Sequence, residues 1–314
     1  MEYYKQNPEQ ARAQFGDDPF DVKNIMKYWV RSKDKDMRII PTDTLYVKID
    51  KEAVRKSGML MAGDSIPDKM VISLAGKRGL GKESLMMLEM IAQCNWTRPL
   101  YIATTVAEKY YMNLGDNFVQ EGLAYRITPF TTKNPGMKNI DTEKMYNNLM
   151  NRYKWGGLEK PGLYLDETVM RMCYTHRHLF AILALALVEE NKKDKAVEVL
   201  DRCQKVIPDY NVPVTFMSAG ADMAQAYALA GQKAKAAKLL DAVWKNAEQY
   251  AVWYLSLNGS RFTQAQNDFL RQVVMLKSTA EQTALVDAKL AEKRMQRLNA
   301  LYATYISKGG VELK

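Results

Sequence analysis

The sequence predicts a mainly α chain, with an N-terminal mixed α/β domain followed by a tetratricopeptide-like α-α superhelix. Three observations carry this expectation. Helical periodicity is continuous from residue 166 to about residue 307, a period of 40 residues runs through part of it, and strand-like alternation is confined to residues 37–130. A chain of 314 residues is long for one core, so two domains are expected. Composition divides it into a linker over 1–18, a small α/β domain over 19–165 and a helical repeat domain over 166–314.

The first 18 residues are polar and carry Pro8 and Gly16, which is linker composition. A helix is expected from about Asp18, with Pro19 in its first turn and Val22, Ile25, Met26 and Trp29 as its apolar stripe. Leu45, Val47 and Ile49 alternate with polar residues, as do Met70, Ile72 and Leu74, so both segments read as strands. Residues 82–93 read as a helix, and residues 100–104 and 123–127 as strands. A strand, a helix and a strand within about 35 residues suggest a right-handed βαβ unit. Residues 131–140 have loop composition, 142–152 are helical, and Gly156, Gly157, Pro161 and Gly162 make a second break.

Asp166 is placed to cap a long helix running to Glu190. Residues 191–201 then align with residues 231–241, with Lys193 over Lys233, Ala196 over Ala236, Leu200 over Leu240 and Asp201 over Asp241. A short turn, a Lys- and Ala-rich second helix and a closing Pro208 are tetratricopeptide features, and the small alanines allow close helix approach. The usual period is about 34, so the extra residues are expected in the connection around Asn211–Thr215. In the last region Ser278-Thr279-Ala280-Glu281 reads as a capping box, which predicts one helix over 263–277 and another over 279–307.

The formal charge is +9, from 45 basic and 36 acidic residues. Acids are interleaved with the basic residues and no run of five basic residues occurs. The excess therefore reads as a solvated surface, and no nucleic-acid partner is expected. Cys94, Cys173 and Cys203 are odd in number and widely spaced, which argues against a disulfide framework or metal cluster. Cys173 and Cys203 read as small core residues. The first residues lack the apolar segment of a signal peptide. The longest apolar run, 179–188, is ten residues against the roughly 20 a membrane span needs, so no transmembrane segment is expected here.

Candidate chemistry is sparse. Gly76-Lys77-Arg78-Gly79-Leu80-Gly81-Lys82-Glu83 follows a strand and precedes a helix, as a phosphate-binding loop does. Glu83 stands where such a loop needs a hydroxyl for magnesium, and its charge repels phosphate, so an ordinary glycine turn is expected. His176 and His178 point to nearly opposite helix faces and cannot chelate one metal. Asp116, Glu121 and Asp166 read as caps or surface charges. Nothing assembles a nucleophile with a base. No enzyme activity, cofactor or metal is expected. Aromatic residues gather around the loops, where they fill a domain seam or anchor a partner.

The segments Asn95-Trp96-Thr97-Arg98-Pro99-Leu100-Tyr101-Ile102-Ala103-Thr104, Glu121-Gly122-Leu123-Ala124-Tyr125-Arg126, and Tyr146 to Asn151 through Trp155-Gly156-Gly157 occur in that order. With Ile40-Pro41-Thr42-Asp43-Thr44 and Asp50 to Val54 before them, they resemble the C-terminal region of the domain-of-unknown-function 2723 family. That bacterial membrane family is similar to protein O-mannosyltransferases. The resemblance implies an extramembranous tail, attached to an N-terminal membrane domain that carries the catalytic residues, so none of those maps onto this chain.

It further implies a location on the periplasmic face of the inner membrane; without a membrane part, the expectation is cytoplasmic. Trp96, Arg98, Tyr125, Arg126 and Trp155 are the candidate residues for a protein or glycan partner. Asp43-Thr44-Leu45 and Asp64-Ser65-Ile66 resemble the acceptor triplet of periplasmic O-glycosylation, which makes Thr44 and Ser65 candidate acceptors. The expected function is a non-catalytic accessory domain of a glycosyltransferase-like membrane protein. The alternatives are a purely structural protein–protein scaffold and a nucleotide-binding enzyme using residues 76–84.

Overall fold

The computed structural model describes residues 8–16, 18–36, 38–131 and 139–311. The chain is mainly helical with a small sheet-bearing part, and it divides into two compact units, Met1–Asp141 and Thr142–Lys314.

In the first unit, α1 (Pro8–Phe15) lies inside the segment expected to be a linker. Pro8 occupies its first position, where a missing N–H costs nothing, and Gly16, at φ +78°, ends it. The next helix begins later than the expected Asp18. Asp21 accepts a bond from the Lys23 amide at 2.9 Å and so caps α2 (Val22–Ile25), which widens into a π-helical turn over Met26–Val30. Its stripe is the expected one: Val22, Ile25, Met26 and Trp29 are all buried.

Strand β1 (Thr44–Lys48) pairs antiparallel with β2 (Lys69–Ser73), in register from Thr44 opposite Ser73 to Lys48 opposite Lys69. Between them, α3 (Lys51–Lys56) is capped by Asp50, which accepts from the Glu52 and Ala53 amides. Alternation works as expected, since Leu45, Val47, Met70 and Ile72 point into the core. Helix α4 (Lys82–Gln93) follows.

The expected βαβ unit does not form. After α4, strand β3 (Tyr101–Ala103) enters a different sheet of order β3-β5-β4-β6, with β4 spanning Phe118–Gln120, β5 Ala124–Ile127 and β6 Asn139–Ile140. The handedness rule governs crossovers between parallel strands of one sheet; here β2 pairs with β1 alone and β3 with β5, both antiparallel. Strands β4 and β6 are parallel. One continuous core joins α2, β1, β2, α4, Trp96, Phe118 and Tyr125.

The second unit begins at Thr142, earlier than the expected boundary after residue 165. Helix α5 (Thr142–Asn147), extended by a π turn over Asn148–Arg152, bonds to the helices that follow it. The Thr142 hydroxyl donates to the Glu190 carboxylate at 2.9 Å, and the Tyr146 hydroxyl donates to Glu198 at 2.6 Å. Helices then pack as consecutive pairs: α6 (Glu167–Glu189) with α7 (Lys193–Val206), α8 (Gly220–Leu229) with α9 (Lys233–Ser256), and α10 (Gly259–Thr283) with α11 (Ala288–Ser307). Asp166 caps α6 as expected, accepting from the Val169 amide at 2.8 Å.

The period of 40 is a structural repeat. At the end of α6 the Asn191 amide donates to the Val188 carbonyl and the Lys192 amide to Leu187. At the end of α8, Gly231 donates to Ala228 and Gln232 to Tyr227, which is the same pair of bonds. Asn191 and Gly231 both have positive φ, and Ala196 and Ala236, one turn later, are fully buried. The extra length falls in residues 207–219. This connection wraps the buried Arg177 of α6, whose guanidinium donates to the carbonyls of Ile207, Val212 and Pro213 and to the Ser218 hydroxyl.

The expected helix break at residues 278–281 is absent. Helix α10 runs through it, and the Thr279 hydroxyl bonds back to the Met275 carbonyl at 2.7 Å instead of capping a new helix. The cap lies at Asp287, which accepts from the Leu290 amide at 3.0 Å.

Candidate interaction site

In the first unit the candidate residues separate into core and surface. Trp96 is 1% exposed and sits in a left-handed turn with Asn95, at φ 60° and 47°. Tyr125 is buried on β5 and stacks on Phe118, with ring centroids 6.0 Å apart. Neither is the surface aromatic the sequence suggested. Both faces of β5 are covered, so Tyr125 is buried as Arg126 and Ile127 are, and the left-handed turn after α4 folds Trp96 into the same core. Arg98 is exposed.

Arg126 is also buried, inside a polar network. Its Nε lies 3.1 Å from Glu121, and Nη2 lies 3.7 Å from Asp141. The same guanidinium donates to the Met59 carbonyl at 3.1 Å. The Tyr101 hydroxyl donates to the second Glu121 oxygen at 2.7 Å. Burial, and then the Glu121 carboxylate, push the Tyr101 hydroxyl up to about 12, so it stays a neutral donor. Glu121 is thus a buried partner of Arg126, whereas the sequence suggested a cap or surface charge. Pairing along β5 sets this arrangement, because Tyr101 lies opposite Arg126 in the register. The network ties β3, β5 and the residue after β6 to the backbone at residues 58–59. Every charge in it is engaged, and its chemistry is positioning.

Thr44 is half-buried in β1 and its hydroxyl donates to Asp43. Ser65 is exposed in the connection between α3 and β2. The glycine-rich segment forms a turn in which the Lys77 amide donates to the Leu74 carbonyl, with Gly76 at φ +79°. The Glu83 side chain folds back over Gly81 at the start of α4, so closely that a Cβ on Gly81 would collide with the carboxylate.

In the second unit Trp155 is half-buried. Its ring lies against Phe180 at 5.1 Å and against the edge of His176 at 5.7 Å. His176 Nδ1 faces the Met172 carbonyl, whereas His178 faces the Met217 carbonyl and lies 3.8 Å from Asp222. The two histidines therefore serve different surroundings. Cys173 and Cys203 are buried, as expected, and complete burial pushes the Cys203 thiol up to about 12.

Exposed aromatics include Tyr101, Tyr110 and Tyr164, which belong to the loop aromatics noted in the sequence, and a further pair on α9. On α9, Tyr250 is 49% and Trp253 54% exposed. They flank Tyr254, with ring centroids 6.4 and 4.8 Å from it. Lys245, Glu248, Gln249, Val252, Trp253 and Ser256 border an open hollow of about 430 Å³. Glu248 is held in place by Trp244 Nε1 at 3.0 Å and by Arg297 at 2.6 Å. A signal was present in the sequence: Ala247, Ala251 and Leu255 form the buried stripe of α9, and Tyr250 and Trp253 fall outside it.

The family described as TMEM260-associated domain 2 matches residues 2–144. The match ends three residues beyond the first unit. It is not a match to the domain-of-unknown-function 2723 region, and it leaves the helical pairs outside it. Neither the curated proteins nor the solved structures contain a match to this chain. None of the described helices is long and apolar enough to cross a membrane.

Proposed function

We propose that this chain is a non-catalytic interaction part of a membrane-bound glycosyltransferase-like protein, and that its tetratricopeptide-like helices hold a protein or glycan partner. The exposed Tyr250 and Trp253 beside a hollow rimmed by Lys245, Glu248 and Gln249 carry the reading. Flat aromatic faces next to fixed polar groups suit both sugar stacking and hot-spot contacts with a protein. The match of the first unit to a family described as an associated domain supports an accessory role. The resemblance of the ordered segments above to a mannosyltransferase-like membrane family points the same way. Under this reading the parent protein's membrane part supplies the catalysis, and the periplasmic face of the inner membrane is the location.

The test is a glycan array followed by titration, run beside co-purification from detergent-extracted membranes. Trp253→Ala and Tyr250→Ala serve as controls, since both residues are exposed and spare the core. A glycan or protein captured by the unaltered chain and lost by about tenfold or more in either variant supports the proposal. Capture insensitive to both variants, or stabilisation by magnesium and ATP in their place, overturns it.

A further inference from the structure

A cavity of about 760 Å³ in the first unit has a composition that the interaction role does not use. Its apolar side includes Leu74, Leu80 and Ile39. Leu74 belongs to the core, Leu80 packs against it, and Ile39 is 54% exposed. Its charged lining is Arg38, Lys77 and Arg78, against one acid, Asp43. Among the described residues, no carboxylate pairs with any of these three cations. Arg38 spends one donor on the Ser32 carbonyl, which fixes its stem and leaves the end of its fork available. Asp43 receives the Thr44 hydroxyl.

The glycine turn therefore presents cations without cradling phosphate on backbone amides. Glu83 already lies over the start of α4, and Lys77 and Arg78 line the cavity beside it. Three cations over an apolar wall discriminate by charge number and by an apolar body together. A carboxylate satisfies one fork, whereas a phosphate monoester at neutral pH carries close to two charges and three acceptor oxygens. We propose that this cavity binds an amphiphilic phosphate monoester. Its phosphate would meet Arg38, Lys77 and Arg78, and its apolar chain would lie on Ile39, Leu74 and Leu80.

The test is calorimetric titration of the full chain at low and moderate salt with hexyl phosphate, inorganic phosphate and hexanoate. Lys77→Ala/Arg78→Ala and Ile39→Ser are the variants; Arg78 and Ile39 are exposed and Lys77 is half-buried at the cavity rim, so folding is checked by circular dichroism. Hexyl phosphate should bind at least tenfold more tightly than either comparison ligand. The double variant should lose about 30-fold and Ile39→Ser a few-fold. Sedimentation with vesicles containing phosphatidic acid, lost in the double variant, would identify a lipid source; binding of the soluble monoester alone would identify a free one. Equal binding of inorganic phosphate or hexanoate, unchanged affinity in the double variant, or no binding of hexyl phosphate overturns the proposal.

Discussion

Arg126 and Arg177 are both buried guanidiniums, and their surroundings satisfy them in opposite ways. Arg126 meets the carboxylates of Glu121 and Asp141, so its charge is compensated. Arg177 meets three carbonyls and a hydroxyl, and burial draws its pKa down from the usual arginine range. Replacing it with Met keeps the volume and strands those carbonyls without a donor. Arg177→Met should lose about 2–4 kcal/mol in urea unfolding, and Arg177→Lys should recover little, because an ammonium cannot span four acceptors in a fork. The Tyr101 hydroxyl makes a second prediction. Its folded pKa is about 12 against the ordinary 10, so the folded state keeps a proton that the unfolded state releases. The stability it contributes is complete below pH 10 and is lost as pH rises from 10 to 12. Tyr101→Phe should flatten that alkaline decline without removing it, since Tyr146 and Tyr227 are shifted in the same direction. Denaturant unfolding between pH 8 and 12 measures it; an unchanged slope would refute it. The setting of Arg177 was not legible in the sequence, because partners 36 and 41 residues away leave no local pattern. Glu121 lies only five residues from Arg126, but a strand reversal that composition does not mark brings the two together.

At the scale of elements, local chemistry was legible wherever it was repeated or periodic. The turns at Asn191 and Gly231 were visible as a period of 40, because each needs a residue that tolerates positive φ. Gly231→Val should cost about 1–2 kcal/mol, and Asn191→Gly should be neutral or slightly stabilising, since glycine fits the same φ without strain. Thermal unfolding of the two variants checks the pair, and a stable Gly231→Val would remove the shared-turn account. Elements misread were those with two local solutions. Thr279 in a Ser-Thr-Ala-Glu string can cap a helix or bond back within one; burial of Thr279, Ala280 and Thr283 against their neighbours selects the second. Likewise, alternation in β2 fixed which side chains face inward, and β3 was legible as a strand, but neither reading says which strand lies beside which. That pairing goes with contacts distant in sequence, such as the Tyr101 hydroxyl of β3 with Glu121.

For the whole molecule, each unit carries its own core. The cluster built on Trp29, Leu45, Ile72, Leu88 and Trp96 draws only on residues before 142, and the one built on Trp244, Phe269, Leu298 and Tyr305 only on residues after it. Free energy stored in separate cores is lost separately, so a single cooperative transition is not expected. The partners given above for Arg177 all lie within the second unit, and those for Tyr101 within the first. Urea unfolding followed by far-ultraviolet circular dichroism should therefore resolve two transitions, the larger amplitude belonging to the helical second unit. Arg177→Met should shift only the transition that carries most of the helical signal, and Tyr101→Phe only the other. A fragment of residues 142–314 should reproduce the first of these, with the same loss from Arg177→Met. If both substitutions move both transitions equally, the units are coupled and the division at residue 141 is geometric without being energetic.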